Sequence, residues 1–469
     1  MARGAIMNGG FSMRLIDIAA AVGVKSVKSA VPDIAISGVS TDTRSLNAGE
    51  LFVAIKGESF DGHDHLAKAH SQGASAVLVD HPVPGASPPQ LIVDNARAAY
   101  GKIGAHWRKR FHPQSLALTG SNGKTTVKEM LRSILVAHTG NSDQVLATEG
   151  NLNNDIGVPQ MLLRLRAQHR YAVFELGMNH PGEIDALTRL VDPDVAMVTM
   201  AGTAHIGELG SREAIAQAKG EIFDALKLGG VAVVNMHDRF GSFWRTNLAA
   251  NAKGQRVIGF GVAPEDDISA TFGTDTLEIR WQGAAVTVRL QVPGEHNQAN
   301  ALAAAAGACA LGVPLETIRQ GLASFSGVSG RLRTFTGHNS ATIIDDTYNA
   351  NPDSVKAAIR VLAARNPPRF LALGDMGELG SQSVALHREI GAYARTAGVE
   401  KILGLGELSR ETIAAAGAGA AHFNSVDELV ESLLPLLGPH TTVLVKGSRF
   451  MKMERVVEKL VPHYGGGHH

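Results

Sequence analysis

The most constraining feature of this 469-residue chain is the run Leu116-Ala117-Leu118-Thr119-Gly120-Ser121-Asn122-Gly123-Lys124-Thr125-Thr126. An apolar strand runs into glycines, a Lys-Thr pair and then a helix, which is the order a phosphate-binding loop demands. Glycines let backbone amides converge on an anion, and a helix N-terminus adds positive potential. Lys124 then neutralises β/γ charge, and Thr125 reaches a magnesium ion. Thr119, Gly120, Ser121, Asn122, Gly123, Lys124, Thr125 and Thr126 are the residues expected to cradle a nucleotide phosphate. Leu118 stands where the general pattern has its first glycine, so this is a shortened Thr-Gly-x-x-Gly-Lys-Thr-Thr form. The plainer alternative is a strand-helix turn with a solvated Lys124.

Such a loop needs a sheet around it, and the chain supplies more than one. At roughly 100–200 residues per domain the length predicts about three units. Strand-type runs at 51–55, 76–79 and 91–93 alternate with helical stretches at 65–72 and 95–108 and end near Phe111-His112-Pro113, a first unit over residues 1–112. Apolar strands at 171–176, 195–200 and 231–235 follow the phosphate loop, as a parallel sheet with covering helices requires. A β-rich insert at 256–292 and a long helix at 297–311 come next, and the turn residues Gly327-Val328-Ser329-Gly330 close a central unit over 113–328. Strands at 341–345, 370–373, 401–404 and 442–445, separated by helices, make 329–469 a further doubly wound unit. The expected fold class is α/β in three domains.

Composition narrows the function. Acidic and basic residues balance at 44 each, so no global positive field exists to hold a phosphate backbone, which argues against nucleic acid. The single cysteine, Cys309, allows no disulfide within the chain and reads as a packing thiol in a reducing compartment. Residues 1–12 lack a continuous apolar segment, and the longest apolar run, 299–315, is too rich in Ala and Gly to span a bilayer, so a cytoplasmic protein without membrane insertion is expected. The closing Gly and His residues, 465–469, are assigned no chemistry.

Two carboxyl-end positions extend the phosphate loop into a possible metal site. Glu175 ends the strand 171–176 and His205 follows the strand 195–200, where ligands bind in parallel sheets. Carboxylate and imidazole together suit a divalent ion, and Glu175 beside the loop suits Mg²⁺. Taken singly, each reads equally as a cap or surface group. In the helical stretch 211–226, Ile215, Lys219, Ile222 and Leu226 share one face, so Lys219 points inward. A buried amine loses its proton more easily, and the neutral amine can react with carbon dioxide to form a carbamate. The alternative is a lysine snorkelling from an amphipathic edge.

With these residues in hand the chain resembles the Mur ligase family over nearly its whole length. The resemblance rests on the phosphate loop, on Glu175-Leu176-Gly177-Met178-Asn179-His180-Pro181-Gly182-Glu183-Ile184, on Ala218-Lys219-Gly220-Glu221-Ile222, on Gly294-Glu295-His296-Asn297-Gln298-Ala299-Asn300-Ala301, and on Asp345-Asp346-Thr347-Tyr348-Asn349-Ala350-Asn351-Pro352-Asp353-Ser354. It implies a UDP-sugar domain, a central P-loop ATPase-type domain and a C-terminal Rossmann-like domain that closes over the nucleotide. It also implies catalytic roles for Lys124, His205 and Lys219, metal contacts from Thr125, Glu175, His205 and a carbamylated Lys219, and adenosine contacts from Asn297, Asn300, Arg331 and Asp346. Read from the residues alone, Asn297 equally suits a helix cap, Arg331 a surface ion pair and Asp346 a turn. Ser40, Arg44, Lys56, Asn153, Asn154, Asn179 and His180 are the substrate-binding residues the resemblance implies.

Segments 374–380 and 445–450 resemble the branch of the family that uses D-alanyl-D-alanine, and no Asp-Asn-Pro-Arg motif is present. The resemblance therefore implies an ATP- and Mg²⁺-dependent carbon-nitrogen ligase joining that dipeptide to UDP-N-acetylmuramoyl-tripeptide through an acyl phosphate, in a chain expected to act as a monomer. The alternatives are a related Mur-type or folylpolyglutamate-type ligase using another amine, and a nucleotide-switched binding protein.

Overall fold

The computed structural model describes residues 10–24, 31–85, 88–251 and 254–464. The tail at 465–469 and most of the N-terminal segment read above lie outside the described residues.

The phosphate-loop strand, Gln114–Thr119, is central to a nine-stranded sheet. Val195–Val198 pairs with one side of it and Tyr171–Glu175 with the other, both parallel. Val145–Ala147 closes one edge, and Val231–Asn235 then Arg256–Gly261 continue the sheet the other way. Beyond these lie Ile268–Phe272, Thr276–Trp281 and Ala284–Arg289, of which the last two pair antiparallel, so the β-rich insert extends the central sheet.

Both faces of the strand Gln114–Thr119 are apolar because both are covered. Leu116 and Leu118 belong to one buried cluster with the helices Lys124–Thr139 and Glu295–Ala310, while Ala117 joins Phe174 and Val198 in the cluster on the opposite face. The Ala-rich composition of Glu295–Ala310 lets that helix lie close to the sheet. A Cβ at Gly307 would stand 2.8 Å from Leu116 Cδ1, inside contact distance. Cys309 is buried in the same helix, and burial pushes its thiol up to about 12.

A four-stranded parallel sheet, Val39–Ser40, Leu51–Val53, Ala76–Val79 and Gln90–Ile92, forms the first unit. The helix Ala96–Arg108, capped by the Asn95 side chain, fastens it to the centre. Buried Arg108 donates from Nε to Val191 O (2.8 Å) and from Nη2 to Asp192 O (3.0 Å), and Trp107 Nε1 donates to Leu165 O (3.1 Å).

The last sheet is six-stranded, in the order Arg333–Thr336, Thr342–Asp346, Thr442–Lys446, Arg369–Gly374, Lys401–Leu405, Ala420–Phe423, parallel apart from its first strand. The chain is an α/β protein with a three-domain layout. Among the described residues six short strands escaped the sequence reading: Met13–Arg14, Ala35–Ile36, Val39–Ser40, Val145–Ala147, Arg333–Thr336 and Ala420–Phe423. Each is too brief to show a period of two.

Candidate functional site

Three adjacent strands deliver the candidate site from their carboxyl ends. Leu118 is in register with Glu175, and Thr119 with Val198, so the phosphate loop, Glu175 and the segment after Val198 leave the sheet side by side. This is where parallel sheets bind ligands.

The loop is shaped by what a side chain would strike. A Cβ at Gly120 would meet Thr199 Oγ1 at 1.8 Å, and one at Gly123, whose φ is +81°, would meet Asn300 Oδ1 at 2.3 Å. Ser121 N–H donates to Met200 O (2.9 Å) and Thr199 Oγ1 donates to Asn122 O (2.7 Å), fixing the loop to the next strand's exit. Lys124 curls over it and donates to Gly120 O (2.6 Å). Burial lowers its pKa; the Glu175 carboxylate opposes that shift, and the Arg331 guanidinium adds to it. Among the described residues, five buried polar atoms at this site have no hydrogen-bond partner: Thr119 Oγ1, Ser121 Oγ, Glu175 Oε2, His205 Nδ1 and Arg331 Nε. Buried orphans are costly, and four of the five residues line one cavity of about 1360 Å³.

Glu175 is 2 % exposed; its Oε1 accepts from Asn153 Nδ2 (2.9 Å), leaving Oε2 free for a ligand. His205, with φ +63°, precedes the short helix Ile206–Leu209, and its Nδ1 lies 2.9 Å from Glu378 Oε2 in a close but poorly directed contact. That imidazole holds the Glu378 carboxyl below the usual range, against the effect of burial. Lys219, on the helix Arg212–Asp224, is 1 % exposed, as its helical face requires. Burial drives its pKa well below the lysine value, and the Lys124 charge adds to the shift. Lys219 therefore feels Lys124, Lys124 feels Glu175 and Glu378, and Glu378 touches His205, so the five side chains form one electrostatic cluster. Thr125, Glu175 and His205 line the cavity, and Lys219 is not among its lining residues.

The third unit reaches over this cluster. Asn351 Nδ2 donates to Asn122 Oδ1 on the phosphate loop itself (2.8 Å). Asp353 Oδ2 accepts from Thr203 N and Thr203 Oγ1 (both 2.8 Å), and its Oδ1 accepts from Arg212 Nη2 (3.0 Å). Arg331 stacks its guanidinium 4.0 Å from the Tyr348 ring centroid, and its Nη2 is 3.4 Å from Thr125 Oγ1, an arrangement different from a surface ion pair.

Asp346, at the end of its strand, is more than a turn residue. It is 7 % exposed and its Oδ2 lies 2.6 Å from Lys446 Nζ, which also donates to Asn349 O (2.8 Å). Burial raises the Asp346 pKa and lowers that of Lys446, while each partner opposes the shift of the other. Lys446→Met leaves the carboxylate buried without its cation. We expect a stability loss of up to about 3–5 kcal/mol, partly relieved as Asp346 takes up a proton. Urea unfolding followed by a fluorophore on the third domain checks this, and an unchanged midpoint contradicts it.

Asn297 does not cap its helix: Gly294 holds that position, and buried Asn297 donates from Nδ2 to Pro293 O (2.7 Å). Asn300 Nδ2 lies 3.4 Å from Asn297 Oδ1, so the pair stands beside Gly123. Asn153, Asn154, Asn179 and His180 line the cavity, and Asn154 Oδ1 also accepts from Gly157 N–H (2.8 Å) at the next helix start. Ser40, Arg44 and Lys56 lie outside that lining. Ser40 Oγ donates to Asp42 O (3.0 Å), Arg44 forms a two-point pair with Asp42 (2.9 and 2.6 Å), and Lys56 Nζ is 3.8 Å from Asp61. The first unit contributes Asn95, Arg97 and Lys102 to the cavity instead, none singled out by the sequence reading.

A separate group, His63, Asp80 and His81, brings metal-ligating atoms within 4.8 Å of one another. Its imidazoles stack at 4.3 Å with 22° between planes, so their in-plane lone pairs run alongside each other and do not converge on an ion.

Comparison with known proteins adds a family. The Mur ligase middle domain matches residues 118–308, the "Mur ligase, glutamate ligase domain" residues 330–449, and the "Mur ligase family, catalytic domain" residues 35–108. A UDP-N-acetylmuramoyl-tripeptide--D-alanyl-D-alanine ligase of Escherichia coli is 42% identical over 437 residues, 91% of this chain and 94% of that protein. The Haemophilus influenzae protein of the same name is 40% identical over 434 residues, again 91% and 94%. Among solved structures, MurF from Acinetobacter baumannii superposes with a TM-score of 0.87 at 36% identity, covering 95% of this chain and 98% of that one. MurF from Thermotoga maritima, in complex with ADP, gives 0.79 at 26% identity, covering 90% and 96%. No helix among the described residues is long and apolar enough to cross a membrane.

Proposed function

The chain belongs to the Mur ligase family, and from that premise we propose that it joins D-alanyl-D-alanine to UDP-N-acetylmuramoyl-tripeptide at the expense of ATP, in peptidoglycan precursor synthesis. The observation that carries this reading is the convergence of Lys124, Glu175, His205 and Lys219 at the carboxyl end of the central sheet, beneath residues of the third unit.

The residues present fit a nucleotide and a hard cation. A glycine cradle with no room for a Cβ, and the orphaned atoms Ser121 Oγ and Thr119 Oγ1, suit phosphate oxygens. Glu175 Oε2, the Thr125 hydroxyl and His205 would hold Mg²⁺, with Lys219 as a carbamate supporting a second ion. When bound, the ions neutralise charge on phosphoryl oxygens. Asn297, Asn300, Arg331 and Asp346 are assigned to adenosine, and Asn153, Asn154, Asn179 and His180 to the acid substrate. Ser40, Arg44 and Lys56, away from the cavity, are assigned to the UDP end of an extended substrate. Domain roles follow: 1–112 takes the UDP-sugar, 113–328 ATP, and 329–469 the nucleotide and the incoming dipeptide.

The chemistry is stepwise. A peptide carboxylate is a poor acylating agent because its hydroxide-like leaving group is unstable, so its oxygen first attacks the γ-phosphorus, giving an acyl phosphate and ADP. The dipeptide amine then attacks the carbonyl, phosphate leaves, and the amine's proton passes to solvent. Lys124 supplies fixed positive charge where negative charge grows, the kind of preorganised stabilisation that dominates phosphoryl transfer. No side-chain nucleophile is required. Because all five cluster residues belong to one chain, a monomer suffices, and we place it in the cytoplasm.

Phosphate release measured with ATP, UDP-N-acetylmuramoyl-tripeptide and D-alanyl-D-alanine, each omitted in turn, tests the assignment. Release should require all three. Equal release from ATP alone would instead support a nucleotide switch, and faster release with diaminopimelate, lysine or glutamate would move the chain to another branch.

A further inference from the structure

We propose that Glu378 is a positioning residue through which the third domain, packed over the phosphate loop, fixes the ring of His205; the proposal rests on the ligase reading above. Glu378 engages the same short segment twice. Its Oε2 lies 2.9 Å from His205 Nδ1, and its backbone carbonyl accepts from Gly207 N–H at 3.0 Å. The two segments touch with no room for a side chain: a Cβ at Gly207 would stand 2.6 Å from Gly380 N and 2.7 Å from Glu378 O.

Both partners hold an uncommon backbone conformation, φ +63° at His205 and φ +61° at Glu378. Non-glycine residues occupy the left-handed region only where their surroundings impose it, and such outliers gather at functional contacts. Here the surroundings are rigid. Met376 is fully buried and its N–H donates to His387 Nε2 (3.0 Å). Gly377 N–H donates to Ser448 Oγ (2.8 Å), and Leu379 is buried at 2 % exposure. The Glu378 backbone is thus anchored by a loop of the third domain, which brings its half-exposed carboxylate to His205.

The consequence is a choice of tautomer. Among the described residues Glu378 is the one carboxylate within 4 Å of a His205 ring nitrogen, 2.9 Å from Nδ1, and a small turn of either side chain aligns the two. A proton kept on Nδ1 leaves the Nε2 lone pair for the cavity that Lys124, Thr125 and Glu175 line. Outer partners of this kind orient a ligating imidazole and set its basicity. Without the carboxylate the ring is free to turn over or to carry its proton on Nε2, and the third domain loses its side-chain hold on the catalytic segment.

The test compares Glu378→Ala with Glu378→Gln, whose amide oxygen still accepts a proton at the same reach. Nitrogen-15 spectra of histidine-labelled protein, with His205 assigned through His205→Asn, should show an Nδ1–H tautomer in the wild type and in Glu378→Gln, and its loss in Glu378→Ala. Turnover of Glu378→Ala should fall by roughly 10- to 100-fold with KM for the UDP-substrate unchanged, while Glu378→Gln recovers most of it. In a His205→Asn background, Glu378→Ala should add little, because both changes remove one device. An unaltered tautomer in Glu378→Ala, wild-type turnover, or full additivity in the double mutant overturns the proposal. A wild-type protein that fails to turn over all three substrates would instead sink the ligase reading, and the spectra still decide the role of Glu378.

Discussion

Lys219→Ala is expected to lower turnover by roughly 10²–10³-fold, the usual effect of removing one group that stabilises a charged transition state. Lys219 is 1 % exposed, and its pKa is driven well below the lysine value by burial and by the Lys124 charge. A permanently charged amine there would repel Lys124 and any cation held by Glu175. Carbamate formation, as proposed, would resolve the conflict: the neutral amine would add to carbon dioxide with release of a proton, and the residue would become an anion. Depleting carbon dioxide should therefore reduce wild-type activity and bicarbonate should restore it, whereas the mutant should respond to neither. The pH sign follows from the same shift. The folded pKa lies below 10.5, so between the two values the unfolded chain binds the proton more readily, and this group favours folding increasingly as pH rises through that window. Activity should rise with pH in the same sense, since only the neutral amine reacts. Lys219→Met, which refills the space, separates chemistry from packing. Turnover by Lys219→Met equal to wild type, or bicarbonate-insensitive activity in a carbon dioxide-stripped wild type, would exclude the carbamate.

The parts of this site that could be read from sequence are the parts whose meaning is local. Residues 119–126 declare themselves because strand, glycines, Lys and helix are contiguous, and Lys219 declares its burial because its face repeats every three or four residues. The strands Ala76–Val79 and Val231–Asn235 begin and end where their apolar runs do. Glu378, Lys446 and Asp353 were not singled out as site residues, because their roles come from partners far along the chain. Asp353 meets Thr203 150 positions away, and Asn351 meets Asn122 across 229. A signal for Glu378 was present, since it lies in the segment 374–380 that resembles the dipeptide-using branch, but nothing local says that its carboxylate faces an imidazole of another domain. Arg97 and Lys102 were missed for a similar reason. They lie on the helix Ala96–Arg108, and only the packing of that helix against Gly157–Leu163 turns them toward the cavity.

Lys124→Ala should have the larger effect, reducing kcat/KM by about 10³-fold or more, equivalent to about 4 kcal/mol of transition-state stabilisation. Lys124 is the one cation the phosphate loop itself presents. Its Nζ is held 2.6 Å from Gly120 O, so the charge is already aimed along the cradle before a ligand arrives and no reorganisation is needed when phosphoryl charge develops. Thr199 and Asn300 crowd the two glycines, which keeps the cradle's shape independent of the lysine. The mutant should therefore stay folded and lose chemistry. Lys124→Arg should not rescue it: a planar fork is wider than an ammonium and cannot make the same single close approach beneath the loop carbonyl. Affinity for the UDP-substrate should survive, because Arg97, Lys102, Asn179 and His180 line a part of the cavity built by other elements. Calorimetric titration with ADP and with the UDP-substrate, alongside phosphate release, distinguishes these outcomes. If Lys124→Ala bound ADP and released phosphate as the wild type does, the loop from Thr119 to Thr126 would be a structural turn and ATP would have to react elsewhere.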